Sequence, residues 1–261
     1  MVKGNKETTD APRIRPVPAV SRAIAILRLL GKTRIPMGVN AIAHALNIVP
    51  STCLHILRAL TEEKLISFDS TSKHYRLGAG MLTLARSAIE SNVFPVLVQP
   101  ALDRLSTQWG VTAIGVDASD PDQMVVVALS RSNLPFRLHV DVGSVFPSLL
   151  SATGRLVAAF GDQPESELKK RFQKLRWDKP LDYKIWQKEV EFAKKNRYSI
   201  DKNTYIAGIT IVAVPVLTPN GKITHTIVCA SLMDALNKSQ LVKLTNEMQA
   251  QAHKVADHLF T

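Results

Sequence analysis

The stretch "IVPSTCLHILRALTEEKLISF", Ile48 to Phe68, decides how this chain is read. Cys53, Ile56, Leu57 and Leu60 recur at helical spacing and make one apolar face. Ser51, Thr52, His55 and Arg58 fall on the opposite face. Pro50 suits the first position of a helix, where its missing N–H would find no partner anyway. The inner face anchors such a helix. The outer face offers short hydroxyls at the N-terminus, suited to phosphate oxygens, and mid-helix His55 and Arg58, which reach base edges in a major groove.

The flanks give this helix its context. Upstream, Val20, Ala23, Ile24, Leu27 and Leu30 predict a first helix with one apolar face, and Arg22 stands near its start. "GKTRIPMG" reads as a loop. "VNAIAHALNI" predicts a short second helix with Ile42, Ala45 and Leu46 inward, and "NIVP" makes the turn into the third. Downstream, "LISFDS" and "KHYRLG" alternate around "DSTSK", a two-stranded hairpin carrying Lys73, His74 and Arg76. Three helices followed by this hairpin predict a winged helix-turn-helix that binds double-stranded DNA.

Charge and composition agree with that reading. The 261 residues carry 33 Lys and Arg against 22 Asp and Glu, and the balance of +11 favours a polyanionic partner. The first 91 residues hold +7 of it. With 46% hydrophobic residues, a globular fold is expected, and the length suits two domains. The two cysteines, Cys53 and Cys229, each inside an apolar run, predict buried thiols rather than a disulfide framework or a zinc site. No apolar run is long enough to span a membrane, and the polar start lacks the apolar core of a secretory signal. Residues 1–18 read as a disordered basic arm of a cytoplasmic protein.

Beyond the hairpin, "GAGMLTLARSAIESN" predicts a linker helix and "VLVQPALDRLSTQWG" the next one. "VTAIGVD" and "QMVVVALSR" predict two strands, and Val140 to Pro147 a loop. "LLSATGRLVAAFG" predicts a helix whose start is rich in small residues; Ser151, Thr153 and Gly154 there offer hydroxyls and N–H groups to an anion. Amphipathic helices are expected over Glu165–Leu175 and Tyr183–Asn196. A hairpin turns at Asn220-Gly221, and a helix over Lys238–Leu259 closes the chain. This order predicts an α+β domain with one antiparallel sheet. Nucleophile-elbow, phosphate-loop and zinc-protease motifs are absent, so no enzyme, metal or cofactor is expected.

With both halves in view, the chain resembles the IclR family of bacterial transcriptional regulators from about Ala19 to the C-terminus. The marks are "AVSRAIAILRLL", "NAIAHALNIVPSTCLHILRALTEEKLI" and "HYRLGAGMLTLA", then "GSVFPSLLSATGRLVAAF" and "GITIVAVPVLTPNGKITHTIVCAS". The resemblance implies a winged helix-turn-helix over 19–78, a linker helix over 79–94 and a GAF-like effector and oligomerisation domain over 95–261. It implies homodimers or dimers of dimers on operator DNA. It implies a small organic effector, commonly a carboxylic or aromatic acid. Carried over by position, the family's effector pocket maps to Leu138, Phe146, Ser151, Ala152, Thr153, Gly154, Asp201, Ile211, Val228 and Ala230. The plainer readings are core packing for Ile211, Val228 and Ala230, and a solvated turn for Asp201.

The sequence departs from the family at several points. His55 stands where an arginine is usual, Lys64 where a glycine is usual, and Thr204 where a glutamate is common. Ile211, Val228 and Ala230 replace residues that are often polar, which implies either a less polar ligand, such as an aromatic one, or a weakened site. Two rival readings remain: a regulator whose C-terminal domain only oligomerises, and an enzyme with an appended DNA-binding module.

Overall fold

The computed structural model describes residues 17–90, 92–131 and 140–261. The chain divides between Ser91 and Asn92 into two compact units. Most of the expected basic arm, residues 1–16, lies outside the described residues, as do Leu138 and His139.

The first unit contains α1 (Pro18–Thr33), β1 (Met37–Gly38), α2 (Val39–Ala45), α3 (Pro50–Glu62), β2 (Ile66–Asp69), β3 (His74–Leu77) and α4 (Gly80–Glu90). Its core gathers Ile26 and Leu30 of α1, Ile42 and Ala43 of α2, Cys53, Leu57 and Leu60 of α3, and Ile66 and Tyr75 of the hairpin. β2 and β3 pair antiparallel, Ile66 opposite Leu77 and Asp69 opposite His74, as the alternation predicted. The expected loop "GKTRIPMG" contributes a third strand, because Met37 and Gly38 pair with Tyr75 and His74.

Two inward faces need correction. On α1 the buried residues are Ile26 and Leu30, while Val20 and Ile24 are exposed. At ~100° per residue, Ile26 lies about 40° to one side of Leu30, and Val20 and Ile24 lie about 80° and 120° to the other. The core takes the first side and the near edge of the second, where Ala23 and Leu27 are half-buried against it, and Val20 and Ile24 fall beyond that edge. On α2, Ala43 is buried and Ala45 exposed. This helix has 7 residues, too few for periodicity to fix its face.

The second unit runs α5 (Phe94–Trp109), β4 (Thr112–Asp117), β5 (Gln123–Leu129), β6 (Val145–Pro147), α6 (Ser151–Phe160), α7 (Glu165–Phe172), α8 (Tyr183–Asn196), β7 (Ser199–Lys202), β8 (Ile209–Leu217), β9 (Ile223–Leu232) and α9 (Lys238–Leu259). One antiparallel sheet orders its strands β6-β5-β4-β9-β8-β7. β8 is buried on both faces, and its residues divide by parity. Ile209, Ile211 and Ala213 join a core with α6, α7 and α8, while Val212, Val214 and Val216 join one with α5 and α9.

Two strands were not expected. The predicted loop Val140–Pro147 ends in β6, which pairs with β5. β7 turns Ser199 and Asp201 inward, so it lacks the apolar alternation that marks a strand. Pro215, in a central strand, costs no ladder bond to β7, whose pairing with β8 reaches only Ala213.

Candidate functional sites

In the first unit, α3 carries the predicted polar face. Ser51, His55 and Arg58 are exposed, Thr52 is half-buried, and Cys53, Leu57 and Leu60 are buried beneath them. Val49 occupies the N-cap in extended conformation and supplies no side-chain cap. The first-turn N–H groups therefore face outward with two hydroxyls beside them, an arrangement suited to a phosphate. His55 and Arg58 make no hydrogen bond or ion pair among the described residues. Both are free to meet a partner.

The wing is built by Asp69. Its carboxylate accepts from the Thr71 N–H (2.9 Å) and the Ser72 hydroxyl (2.7 Å), and its carbonyl accepts from the Lys73 N–H. The bonds to the carboxylate lower its pKa from the usual value, the Ser72 hydroxyl contributing most and the Thr71 N–H next. Lys73 sits at φ 59° with its ammonium over the Phe68 ring. The His74 imidazole lies 2.6 Å from the Ser72 carbonyl, and Arg76 donates to Ser67 across the strands (3.1 Å). Arg22 is exposed on a separate helix, α1.

Lys64, noted above as a departure from glycine, adopts φ 58° just after α3. Its carbonyl lies so close to the chain beyond the wing that a Cβ on Gly78 would stand 2.4 Å from it. This left-handed turn suits glycine, and the lysine occupies it at a cost.

In the second unit, the sheet register brings much of the expected effector set together. Asp201 pairs with Ile211, and Ile211 with Ala230, so the three form one row across β7, β8 and β9. Val228 lies one step along the same face, opposite Ala213. Ile211, Val228 and Ala230 are buried in the core beneath α6, and Phe146 packs at its edge. α6 begins without a side-chain cap, its N-cap being Leu150. Ser151, Ala152, Thr153 and Gly154 are all buried there. Ser151 adopts φ 58°, and its hydroxyl is covered yet has no hydrogen-bond partner. Gly154 has a packing reason of its own: a Cβ there would lie 1.9 Å from the Leu149 carbonyl carbon.

Asp201 is not a solvated turn. It lies in β7, is 1% exposed, and receives Nη1 of Arg155 at 3.0 Å and the N–H groups of Thr204 and Tyr205 at 3.1 Å each. Arg155, equally buried, also donates through Nε to Glu189 at 2.7 Å and stands 5.9 Å from the Trp177 ring centroid. One buried cation is thus shared by two carboxylates. Sequence reasoning missed Arg155, although a single charge amid "LLSATGRLVAAF" is the signal of a paired buried ion. It also missed Thr226, two residues before Val228 on the same strand face, whose buried hydroxyl has no partner. The sheet face is therefore less uniformly apolar than Ile211, Val228 and Ala230 imply.

A cavity of about 630 Å³ opens elsewhere, between the β8–β9 turn and the last turns of α9, lined by Arg197, Pro215, His253, Asp257 and Phe260 among others. It touches none of the expected effector residues. Among the described residues no cluster of His, Cys, Asp and Glu is disposed to hold a metal ion, and no helix is long and apolar enough to cross a membrane.

Comparison with known proteins agrees with this geometry. Residues 19–70 match the IclR helix-turn-helix domain, and residues 88–257 match the bacterial transcriptional regulator IclR C-terminal domain. The chain is 22% identical to the probable transcriptional regulator SauR of Cupriavidus necator, over 91% of this chain and 95% of that protein. It is 24% identical to the glycerol operon regulatory protein of Streptomyces coelicolor, over 77% of this chain and 80% of that one. A crystal structure of a transcriptional regulator of this type from Alicyclobacillus acidocaldarius superposes with a TM-score of 0.80 at 24% identity, covering 93% of this chain and 99% of the other. A homologue from Microbacterium hydrocarbonoxydans, crystallised in complex with 4-hydroxybenzoate, superposes with a TM-score of 0.74 at 14% identity, covering 92% and 98%.

Proposed function

Since the chain belongs to the IclR family of bacterial transcriptional regulators, we propose that it is a cytoplasmic one-component switch whose DNA binding is set by a small organic acid in the C-terminal unit. Ser51, Thr52, His55 and Arg58 address the major groove, and Lys73, His74 and Arg76 of the wing, with Arg22, contact the backbone. The observation that carries the DNA half is the unpartnered, exposed pair His55 and Arg58 above a buried α3 face. The ligand half is supported by the uncapped, buried start of α6 with its unpartnered Ser151 hydroxyl. The relative bound to 4-hydroxybenzoate lends the ligand class. To act as a switch, the acid binds two arrangements of the DNA-binding units with different affinity.

The switch operates as a homodimer or a dimer of dimers. Val17 at the N-cap of α1, and Val20 and Ile24 within it, support this: they form an apolar stripe left exposed among the described residues.

The test is binding of the purified protein to the intergenic DNA upstream of its own gene, across a salt series with unrelated competitor DNA. Saturable, selective binding that weakens as salt rises is expected. Affinity equal to that for competitor DNA rejects the operator claim. Thr153→Val is expected to blunt the response to 4-hydroxybenzoate while operator affinity stays unchanged. The filled sheet face at Ile211, Val228 and Ala230 favours a second reading, in which the C-terminal unit only oligomerises. Absence of thermal stabilisation by any of a broad set of metabolites would select that reading.

A further inference from the structure

Beside α6, on the side of α7 and α8, lies a group of aromatic side chains with unused hydrogen-bond donors. Phe172 is its hub, with ring centroids 5.9 Å from Trp177, 5.3 Å from Tyr183 and 5.1 Å from Trp186. Tyr183 and Trp186 stack at 5.7 Å. Nε1 of Trp177, Oη of Tyr183 and Nε1 of Trp186 are all covered, and none has a hydrogen-bond partner. Trp186 as a residue is 1% exposed. Buried donors are almost always paired, and an orphan costs its full desolvation. Three orphans around one phenylalanine are therefore a feature to be explained. Burial, aided by Glu165, pushes the Tyr183 phenol up, so it remains protonated and able to donate.

The group adjoins the α6 site through Arg155, one turn into that helix from Ser151, whose guanidinium faces the Trp177 ring. Trp177 is also bound to the loop that Asp201 organises, since the next two residues, Asp178 and Lys179, donate their N–H groups to the Tyr205 and Thr204 carbonyls. Arg155 already gives Nε to Glu189 and Nη1 to Asp201, so its charge is balanced within the protein. The Lys169 ammonium stands 5.9 Å from the Tyr183 ring centroid, and the covered donors without a partner are neutral N–H and O–H groups.

We infer that Trp177, Tyr183 and Trp186 form a recognition surface for the planar part of an aromatic or heteroaromatic acid, their donors meeting an uncharged acceptor on the ring such as a hydroxyl, a carbonyl or a ring nitrogen. This rests on the proposed function, in which the acid group lies at the start of α6, and it specifies the rest of the ligand. The rings provide stacking, which tolerates many planar bodies. The donors select among them, because a ring without an acceptor leaves those donors unpaired.

The experiment is calorimetric titration of the full-length protein with 4-hydroxybenzoate, benzoate and pyruvate, together with thermal unfolding of the ligand-free variants. The parent is expected to bind 4-hydroxybenzoate roughly 3- to 10-fold more tightly than benzoate, the difference one hydrogen bond makes. In Tyr183→Phe or Trp177→Phe that preference shrinks. Ligand-free Tyr183→Phe, which loses only an unpaired oxygen, is expected to melt at or above the parent temperature. A fall of several degrees would show the hydroxyl satisfied within the protein and overturn the inference. Unchanged preference in both variants, with binding still lost in Thr153→Val, overturns the surface and leaves the proposed function standing. Binding of pyruvate alone does the same. If the parent binds none of the three, the inference fails together with the aromatic-acid form of the proposed function.

Discussion

α3 and α6 begin alike and end in opposite surroundings. Both lack a side-chain cap, with Val49 and Leu150 at the N-cap, and both open with small hydroxyl residues, Ser51-Thr52 and Ser151-Ala152-Thr153. The first turn of α3 is on the surface, and that of α6 is buried. A helix start is a partial positive charge with free N–H groups wherever it lies. Placed outside, with Arg58 about two turns along the same exposed face, it suits a long anion arriving from solution. Placed inside, it suits only a ligand small enough to enter. Local sequence sets the chemistry, and burial sets the size of the partner.

The same contrast governs what mutations do. The largest effect is expected inside. Asp201→Ala leaves Arg155 buried with only Glu189, and losing one partner of a buried pair costs about 3–5 kcal/mol. Urea unfolding would show it. Recovery of most of that loss in Arg155→Met/Asp201→Leu would confirm that the orphaned charge is the cause. A cost below about 1 kcal/mol for Asp201→Ala would mean that this cation behaves like one on the surface, and the contrast would fail.

Outside, the corresponding change costs binding rather than stability. Arg58→Ala removes an exposed side chain with no partner among the described residues, so the unfolding midpoint is expected to stay put. Operator affinity is expected to fall about 10- to 100-fold, the range of one good side-chain contact to a base or phosphate. Equal affinity for mutant and parent, measured by DNA titration at fixed salt, would remove Arg58 from the interface.

The outside was also the easier half to read. α3 and the wing are short-range structures: an apolar period, a proline at the first position and a turn signal, all within Ile48–Leu77. The effector unit depends on long-range pairings. β7 was hidden because Ser199 and Asp201 point inward, and Asp201 is only tolerable there because Arg155, 46 residues earlier, reaches it. Nothing local in "YSIDKN" announces that. β6 has 3 residues, too short to alternate. The position-by-position resemblance named Asp201, Ile211, Val228 and Ala230 but put only Val228 and Ala230 on a shared sheet face; the register sets Asp201 and Ile211 in the same row as Ala230. The resemblance offered nothing on Trp177, Tyr183 and Trp186, whose clustering arises from the packing of α7, α8 and the segment between them.

A smaller effect belongs to Lys64. The residue holds a left-handed conformation that glycine adopts freely, so Lys64→Gly is expected to stabilise the DNA-binding unit by about 0.5–1 kcal/mol, after allowing for glycine's greater freedom when unfolded. Thermal unfolding would show a rise of a few degrees. A fall would mean that the lysine side chain contributes more than its backbone costs.

The smallest effect is a pH dependence seated on the sheet. His225 of β9 stacks on Phe94 of α5 with ring centroids 4.0 Å apart, and Asp117 lies directly opposite on β4. Burial against α5 disfavours the charged imidazole and pushes its pKa below the usual histidine value, while Asp117 pulls weakly the other way. Below about pH 6.5 the unfolded chain therefore takes up this proton before the folded one does. Folding stability then declines as pH falls and is unaffected by this group well above that value. His225→Gln, which cannot be charged, is expected to flatten the stability profile between pH 7 and pH 5, and Asp117→Asn to steepen it. Chemical unfolding across that range decides the sign. A parent that gains stability on acidification would mean that Asp117 outweighs burial, and that the sheet stabilises the proton rather than excluding it.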